Sequence, residues 1–209
     1  MDLTFLLAVG PPLLIVAYII KADRFPEPKG TCFLTFVAGT IIIVPAAILN
    51  DKLIPDASYA YLAGFTEETL KFLTIYFYVS RSTNFDEPMD AIVYGTLVSL
   101  GFATFENLQY VYYSGGSPDA VAIIRAFTAI PLHACCGIIM GYYFGLYMFK
   151  NKDTLNLFKS LFFAIGFHAV YNYFATRNVF LMIVVLIILI SFARKLHKIL
   201  QKEQLLSEK

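Results

Sequence analysis

Residues 64–73, GFTEETLKFL, form an apolar segment with Glu67, Glu68 and Lys71 at its centre. Hydrophobic residues make up 58% of the 209-residue chain and charged ones 15%, and the mean hydropathy is +0.67, far above that of a soluble chain of this size. The segment therefore reads as one span of a polytopic membrane protein, and the question is why such a span carries two adjacent carboxylates.

Working outward, about twenty apolar residues suffice for one crossing of a bilayer about 30 Å thick. That criterion predicts about seven spans, near 3–20, 31–50, 59–80, 89–113, 119–149, 157–176 and 178–193. The segments KADRFPEPKG, NDKLIPDAS, RSTNFDEPM, YSGGSPD and KNKDTLN between them are rich in helix-ending residues. The fold class expected is all-α, a transmembrane helix bundle forming a single integral membrane domain over 1–209, with 194–209 as a basic cytoplasmic tail in which His197 is solvated. A cleaved signal peptide is not expected. The three cysteines, Cys32, Cys135 and Cys136, offer no disulfide framework and read as buried thiols.

Basic residues in short loops stay mostly on the cytoplasmic side. Alternate connections collect Lys21, Arg24, Lys29, Arg81, Lys150, Lys152, Lys159, Arg194, Lys195, Lys198, Lys202 and Lys209, whereas the opposite side holds Lys52 and Arg177. This predicts an outside N-terminus, a cytoplasmic C-terminus and a lipid bilayer as the surrounding partner. No nucleic-acid partner is expected.

The ionisable residues at membrane depth are Glu67, Glu68 and Lys71 on the third span, Glu106 on the fourth, His133 on the fifth and His168 on the sixth. A carboxylate at mid-span costs about 2.5–3.5 kcal/mol by insertion scales, so such groups face the bundle interior or a wet cavity and mark function. At 1.5 Å per residue the depths from the outer end are about 12 Å for Glu67 and Glu68, about 10 Å for Glu106, about 20 Å for His133 and about 12 Å for His168. The set is expected to meet in the outer half of the membrane.

Residues four apart share a helix face, which groups Phe102 with Glu106, His168 with Asn172, and His133 with Gly137, Gly141 and Gly145 in a close-packing seam. Glu67 and Lys71, also four apart, can pair and leave Glu68 free for chemistry. Carboxylates and imidazoles around one wet pocket suit hydrolysis, with Glu67 or Glu68 as general base, Glu106, His133 or His168 as acid or orienting group, and Asn172 as oxyanion donor. The same residues could instead bind zinc, with Glu68, Glu106, His133 and His168 as the candidate ligands. A proton- or cation-coupled transporter also gathers such groups at mid-membrane, but calls for a pair of broken helices, and none is evident. A non-catalytic membrane scaffold is the third reading.

GFTEETLKF, DAIVYGTLVSLGFATFENLQY, PLHACCGIIMGYYFG and GFHAVYNYF, in this order, closely resemble the PrsW intramembrane proteases, distant relatives of the CAAX prenyl endopeptidases and the CPBP membrane proteins. The resemblance covers about residues 20–176 and rests on Glu67-Glu68-x-x-Lys71, Phe102-x-x-x-Glu106, His133-x-x-x-Gly137 and His168-x-x-x-Asn172. It implies a protease of the bacterial plasma membrane, glutamic or metal-dependent. It further implies regulated first-site cleavage of a single-span substrate such as an anti-sigma factor under envelope stress.

Overall fold

The structure is a computed structural model that describes residues 2–206; Met1 and residues 207–209, with Lys209 among them, lie outside the described residues. Among the described residues there are helices and no strand. The α-helices are α1 (Leu3–Ala22), α2 (Lys29–Ile41), α3 (Ile43–Leu53), α4 (Leu62–Phe77), α5 (Pro88–Tyr113), α6 (Pro118–Phe127), α7 (Ala129–Leu146), α8 (Thr154–Ala175) and α9 (Val179–Leu206).

Taken as continuous rods, α2–α3 and α6–α7 reduce this set to seven rods, against the seven spans expected. Five rods are long and apolar enough to cross a membrane: α1, α2–α3, α5, α6–α7 and α9. The other two are α4, which at 16 residues is short for a crossing, and α8; they carry Glu67, Glu68, Lys71, His168 and Asn172. The outward faces are apolar throughout, with Leu14, Phe33, Phe65, Phe158 and Phe180 each more than half exposed. A surface of this kind belongs in hydrocarbon.

Both rod breaks have a local cause. Proline lacks the N–H that would bond the carbonyl four residues back, and its ring presses on that carbonyl. Pro45 acts on Ile41, and the helix breaks at Ile42; Pro131 acts on Phe127, and the helix breaks at Thr128. Two broken helices are thus present where the sequence showed none, because the interruption falls in uniformly apolar runs, upstream of the proline that causes it.

At the centre stands α5, buried on nearly every side from Met89 to Thr104. The seam read from the glycine spacing packs against it: a Cβ on Gly137 would lie 2.7 Å from the Gly95 carbonyl oxygen, one on Gly145 would lie 2.7 Å from the Pro88 oxygen, and one on Gly141 would collide with the Ala91 oxygen. Lipid tails supply no hydrophobic force between helices, so this backbone-to-backbone approach is what holds α5 to α7. Gly64 does the same for α4 against α8, where a Cβ would meet the Ala169 nitrogen at 2.6 Å.

The last helix corrects the expected tail. Instead of ending near 193, α9 runs unbroken to Leu206 and turns Leu196, His197, Leu200 and Gln204 inward. His197 is buried, edge-on to the Tyr18 ring at 6.3 Å between centroids, and not solvated. Charged residues every few positions looked like a tail, but they occupy one outer face of an amphipathic helix.

Candidate active site

On α4 the buried residues Ala63, Gly64, Thr66, Glu67, Glu68, Lys71 and Ile75 recur at helical spacing, so both carboxylates and the lysine face inward while Phe65 and Phe77 face out. Glu67, Glu106 and His168 sit within about two turns of the start of α4, the end of α5 and the end of α8, and His133 joins them from the start of α7, about four turns into the α6–α7 rod.

Lys71, fully buried, places Nζ 2.7 Å from Glu68 Oε1 and 2.9 Å from His133 Nδ1. The pairing differs from the sequence reading: Glu67 Oε2 is 4.0 Å from Nζ, so Lys71 takes the carboxylate three residues away and leaves the one four away. Glu68 Oε1 also accepts a 2.8 Å hydrogen bond from His168 Nδ1. With Nδ1 carrying the proton, His168 Nε2 keeps its lone pair and lies 3.9 Å from Glu67 Oε2.

A lysine ammonium only donates, so His133 Nδ1 accepts from Lys71, and His133 Nε2–H donates to Glu106 Oε2 at 3.1 Å. The two imidazoles stand edge to face, 5.0 Å between centroids, and Lys71 lies 4.3 Å above the Phe102 ring, which gives the Phe102–Glu106 face its second contact.

Two residues joined the site without having been singled out. Arg125 on α6 donates from Nη2 to Glu106 Oε2 at 2.5 Å and from Nε to Asn107 Oδ1 at 2.8 Å. Asn50, in the last turn of α3, donates from Nδ2 to Glu67 Oε1 at 3.2 Å and accepts from the Thr66 hydroxyl. Arg125 looked like one more basic residue of a span, and Asn50 like a helix-ending residue of a loop; no local spacing marks either. Asn172 lines the cavity and donates from Nδ2 to the Ala60 carbonyl at 3.2 Å, which ties α8 to the segment before α4.

These groups open on a cavity of about 970 Å³, lined among others by Asn50, Glu67, Glu106, His133, His168 and Asn172. Both helix breaks border it, through Ile43 on one side and Thr128 on the other, and α9 closes it with Met182 and Ile183. Glu68 and Lys71 do not line it; they lie behind Glu67.

The site gathers three carboxyl groups, Glu67, Glu68 and Glu106, against two basic side chains, Lys71 and Arg125. Glu67 Oε2 is buried without a hydrogen-bond partner. One ligand atom each from Glu67, His133 and His168 lies within 4.8 Å of the other two. An unpartnered carboxyl oxygen beside two imidazoles fits a bound cation. Of the expected ligands, His133 and His168 belong to this trio, while Glu106 is engaged by Arg125 and Glu68 by Lys71; Glu67 stands in their place.

Residues 27–193 match the family described as PrsW family intramembrane metalloprotease. The chain is 33% identical over 174 residues to Protease PrsW of Geobacillus kaustophilus, covering 79% of this chain and 76% of that protein. It is 33% identical over 184 residues to Protease PrsW of Clostridioides difficile, covering 81% and 77%, and 33% identical over 145 residues to Protease PrsW of Bacillus subtilis, covering 66% and 65%. No solved structure matches the chain.

Proposed function

This chain belongs to the PrsW family of intramembrane proteases, and from that premise we propose that it cuts a single-span membrane protein with a water molecule activated by Glu67. One observation carries the reading: Glu67 Oε2, buried and without a hydrogen-bond partner, borders the cavity 3.9 Å from His168 Nε2. A general base needs a lone pair that faces the substrate: Glu67 lines the cavity, whereas Glu68, whose Oε2 is also unpartnered, lies behind it, and Glu106 Oε2 is held by Arg125 and His133.

In this reading Glu67 removes a proton from water, and the oxygen attacks the scissile carbonyl carbon. The C–N bond then breaks, and the departing amine takes its proton from Glu67 or through His168. Glu68 acts as a positioning residue, holding His168 with Nε2 toward the cavity. The second N–H of the Asn172 amide, whose first donates to the Ala60 carbonyl, is the donor for the developing oxyanion, and the Glu106–Arg125 pair fixes His133 through its Nε2–H. The substrate helix must unwind locally, because an intact helix keeps its carbonyls inside its own hydrogen bonds.

Glu67, His168 and, once it gives up its contact with Glu106, His133 would hold a catalytic cation such as zinc. A cation there supplies Lewis-acid polarisation and brings the acidity of water to a pKa of about 7. Glu67 is indispensable with or without it.

Residues 1–209 act as one integral unit of the bacterial plasma membrane, with the N-terminus outside and the C-terminus in the cytoplasm. The distribution of loop lysines and arginines supports that orientation. The cut then falls near the outer face. The substrate proposed is a single-span anti-sigma factor, whose release of its sigma factor answers envelope stress; this rests on the family resemblance.

The test is cleavage of a single-span substrate in proteoliposomes by wild type, Glu67→Gln and Glu68→Gln, with and without a strong chelator. Activity persisting in Glu67→Gln overturns the assignment, and the chelator arm decides whether a metal is required.

A further inference from the structure

At the opposite end of the bundle, about 24 Å along α5 from Glu106 at 1.5 Å per residue, lies a second carboxylate cluster that proteolysis does not use. One oxygen each from Asp23, Glu87 and Asp90 lies within 4.8 Å of the other two. Asp90 is fully buried and Asp23 is 6% exposed.

The hydrogen bonds of this cluster are one-sided. Asp90 Oδ2 accepts the backbone N–H groups of Asp86 and Glu87, both at 2.8 Å, at the N-terminus of α5. Asp23 Oδ1 accepts from Phe25 N at 3.1 Å and from Gln204 Nε2 at 2.8 Å. Gln204 also donates to Glu87, and Tyr94 donates to Glu27 Oε2. Yet Asp90 Oδ1 and Asp23 Oδ2 are buried with no hydrogen-bond partner.

These two oxygens are buried acceptors without a donor, an arrangement that costs free energy until a positive charge enters. A proton on Asp90 would weaken the cap of α5. A hard cation leaves each of these donors in place and takes oxygen ligands from several elements.

We infer that Asp23, Glu87 and Asp90 bind a divalent cation of the magnesium or calcium class, which joins the segment after α1 to the start of α5 and, through Gln204, to the far end of α9.

The experiment is thermal unfolding of the full-length protein in detergent, followed with a thiol-reactive dye that reports the buried Cys32, Cys135 and Cys136. Protein stripped with a chelator is titrated with Mg2+, Ca2+ or Mn2+, and Mn2+ binding is counted by electron paramagnetic resonance. Wild type and Glu67→Gln should show a saturable rise in the midpoint, and Glu67→Gln, which lacks the proposed catalytic ligand, should show one Mn2+ site. Asp23→Asn and the half-buried Glu87→Gln should weaken that site at least tenfold and lose the rise.

No effect of any of the three cations on wild type overturns the inference, as does a rise that survives both variants. A rise lost in Glu67→Gln but kept in Asp23→Asn places the ion in the proteolytic cluster and also overturns it. If cation-free Asp23→Asn matches cation-loaded wild type in stability, shared protons hold the cluster instead.

Discussion

His168 donates its Nδ1 proton to Glu68 Oε1 at 2.8 Å, and that single contact decides which ring nitrogen faces the cavity. The carboxylate that orients and the carboxylate that faces substrate are neighbours in sequence, so substituting them separates the two roles.

Glu67→Gln is expected to lower turnover about 10²–10⁴-fold, the usual weight of a general base, with little change in unfolding temperature. Glu68→Gln also lowers turnover but costs about 3–5 kcal/mol in stability, because it leaves Lys71 as an uncompensated buried charge. Activity and melting of the two proteins, measured side by side, check both statements; equal stability losses would refute the division of labour.

Lys71→Met should destabilise the protein by a similar amount, through the stranded Glu68. Combined with Glu68→Gln, it should regain most of that loss without regaining activity, since a neutral pair removes the unpaired charge. Additive losses in the double-mutant cycle would show that the two side chains are not coupled.

Asn50→Ala removes the 3.2 Å hydrogen bond to Glu67 Oε1 while leaving every proposed catalytic group in place. A fall in kcat of about tenfold or more is expected from the misplaced base, with KM nearly unchanged, and Asn50→Gln should recover little because its longer side chain misplaces the amide. A change confined to KM would make Asn50 a substrate contact instead.

Two glycine-to-alanine substitutions should act in opposite directions. Gly141→Ala forces a methyl group onto the Ala91 carbonyl and should lower the melting temperature sharply, since both neighbours are backbone. Gly166 has open space where a Cβ would go, so Gly166→Ala should be neutral or stabilise α8 by about 0.5–1 kcal/mol. Equal effects would mean that the α5–α7 seam is looser than its geometry.

Topology can be read with single cysteines in a cysteine-free background. A cysteine at Gly116, in the α5–α6 turn, should react with an impermeant maleimide added to intact cells, and one at Lys152 only after lysis. The reverse pattern would invert the proposed orientation and move the proteolytic cavity to the cytoplasmic side.

Much of the site was legible in the chain because the relevant regularities are local. Helical rise sets the depth of Glu67, Glu106 and His168, and a four-residue interval sets the face shared by Gly137, Gly141 and Gly145. The breaks at Ile42 and Thr128 were not legible as breaks, although Pro45 and Pro131 cause them, because hydropathy is continuous across both. The inward turn of His197 was hidden for a related reason: charges along one face of α9 look the same in sequence whether the opposite face meets solvent or protein.

From the sequence alone come the all-helical membrane character, the approximate spans and the gathering of carboxylates and imidazoles at one depth, each a consequence of short-range geometry and apolar composition. The tertiary structure decided which carboxylate Lys71 holds. On one helix both Glu67 and Glu68 lie within its reach, and the choice falls to Glu68 because His168 from α8 and His133 from α7 complete that arrangement. It also decided that Asn50 and Arg125 belong to the site, since hydrogen bonds between distant helices follow from packing and leave no periodic trace in the chain.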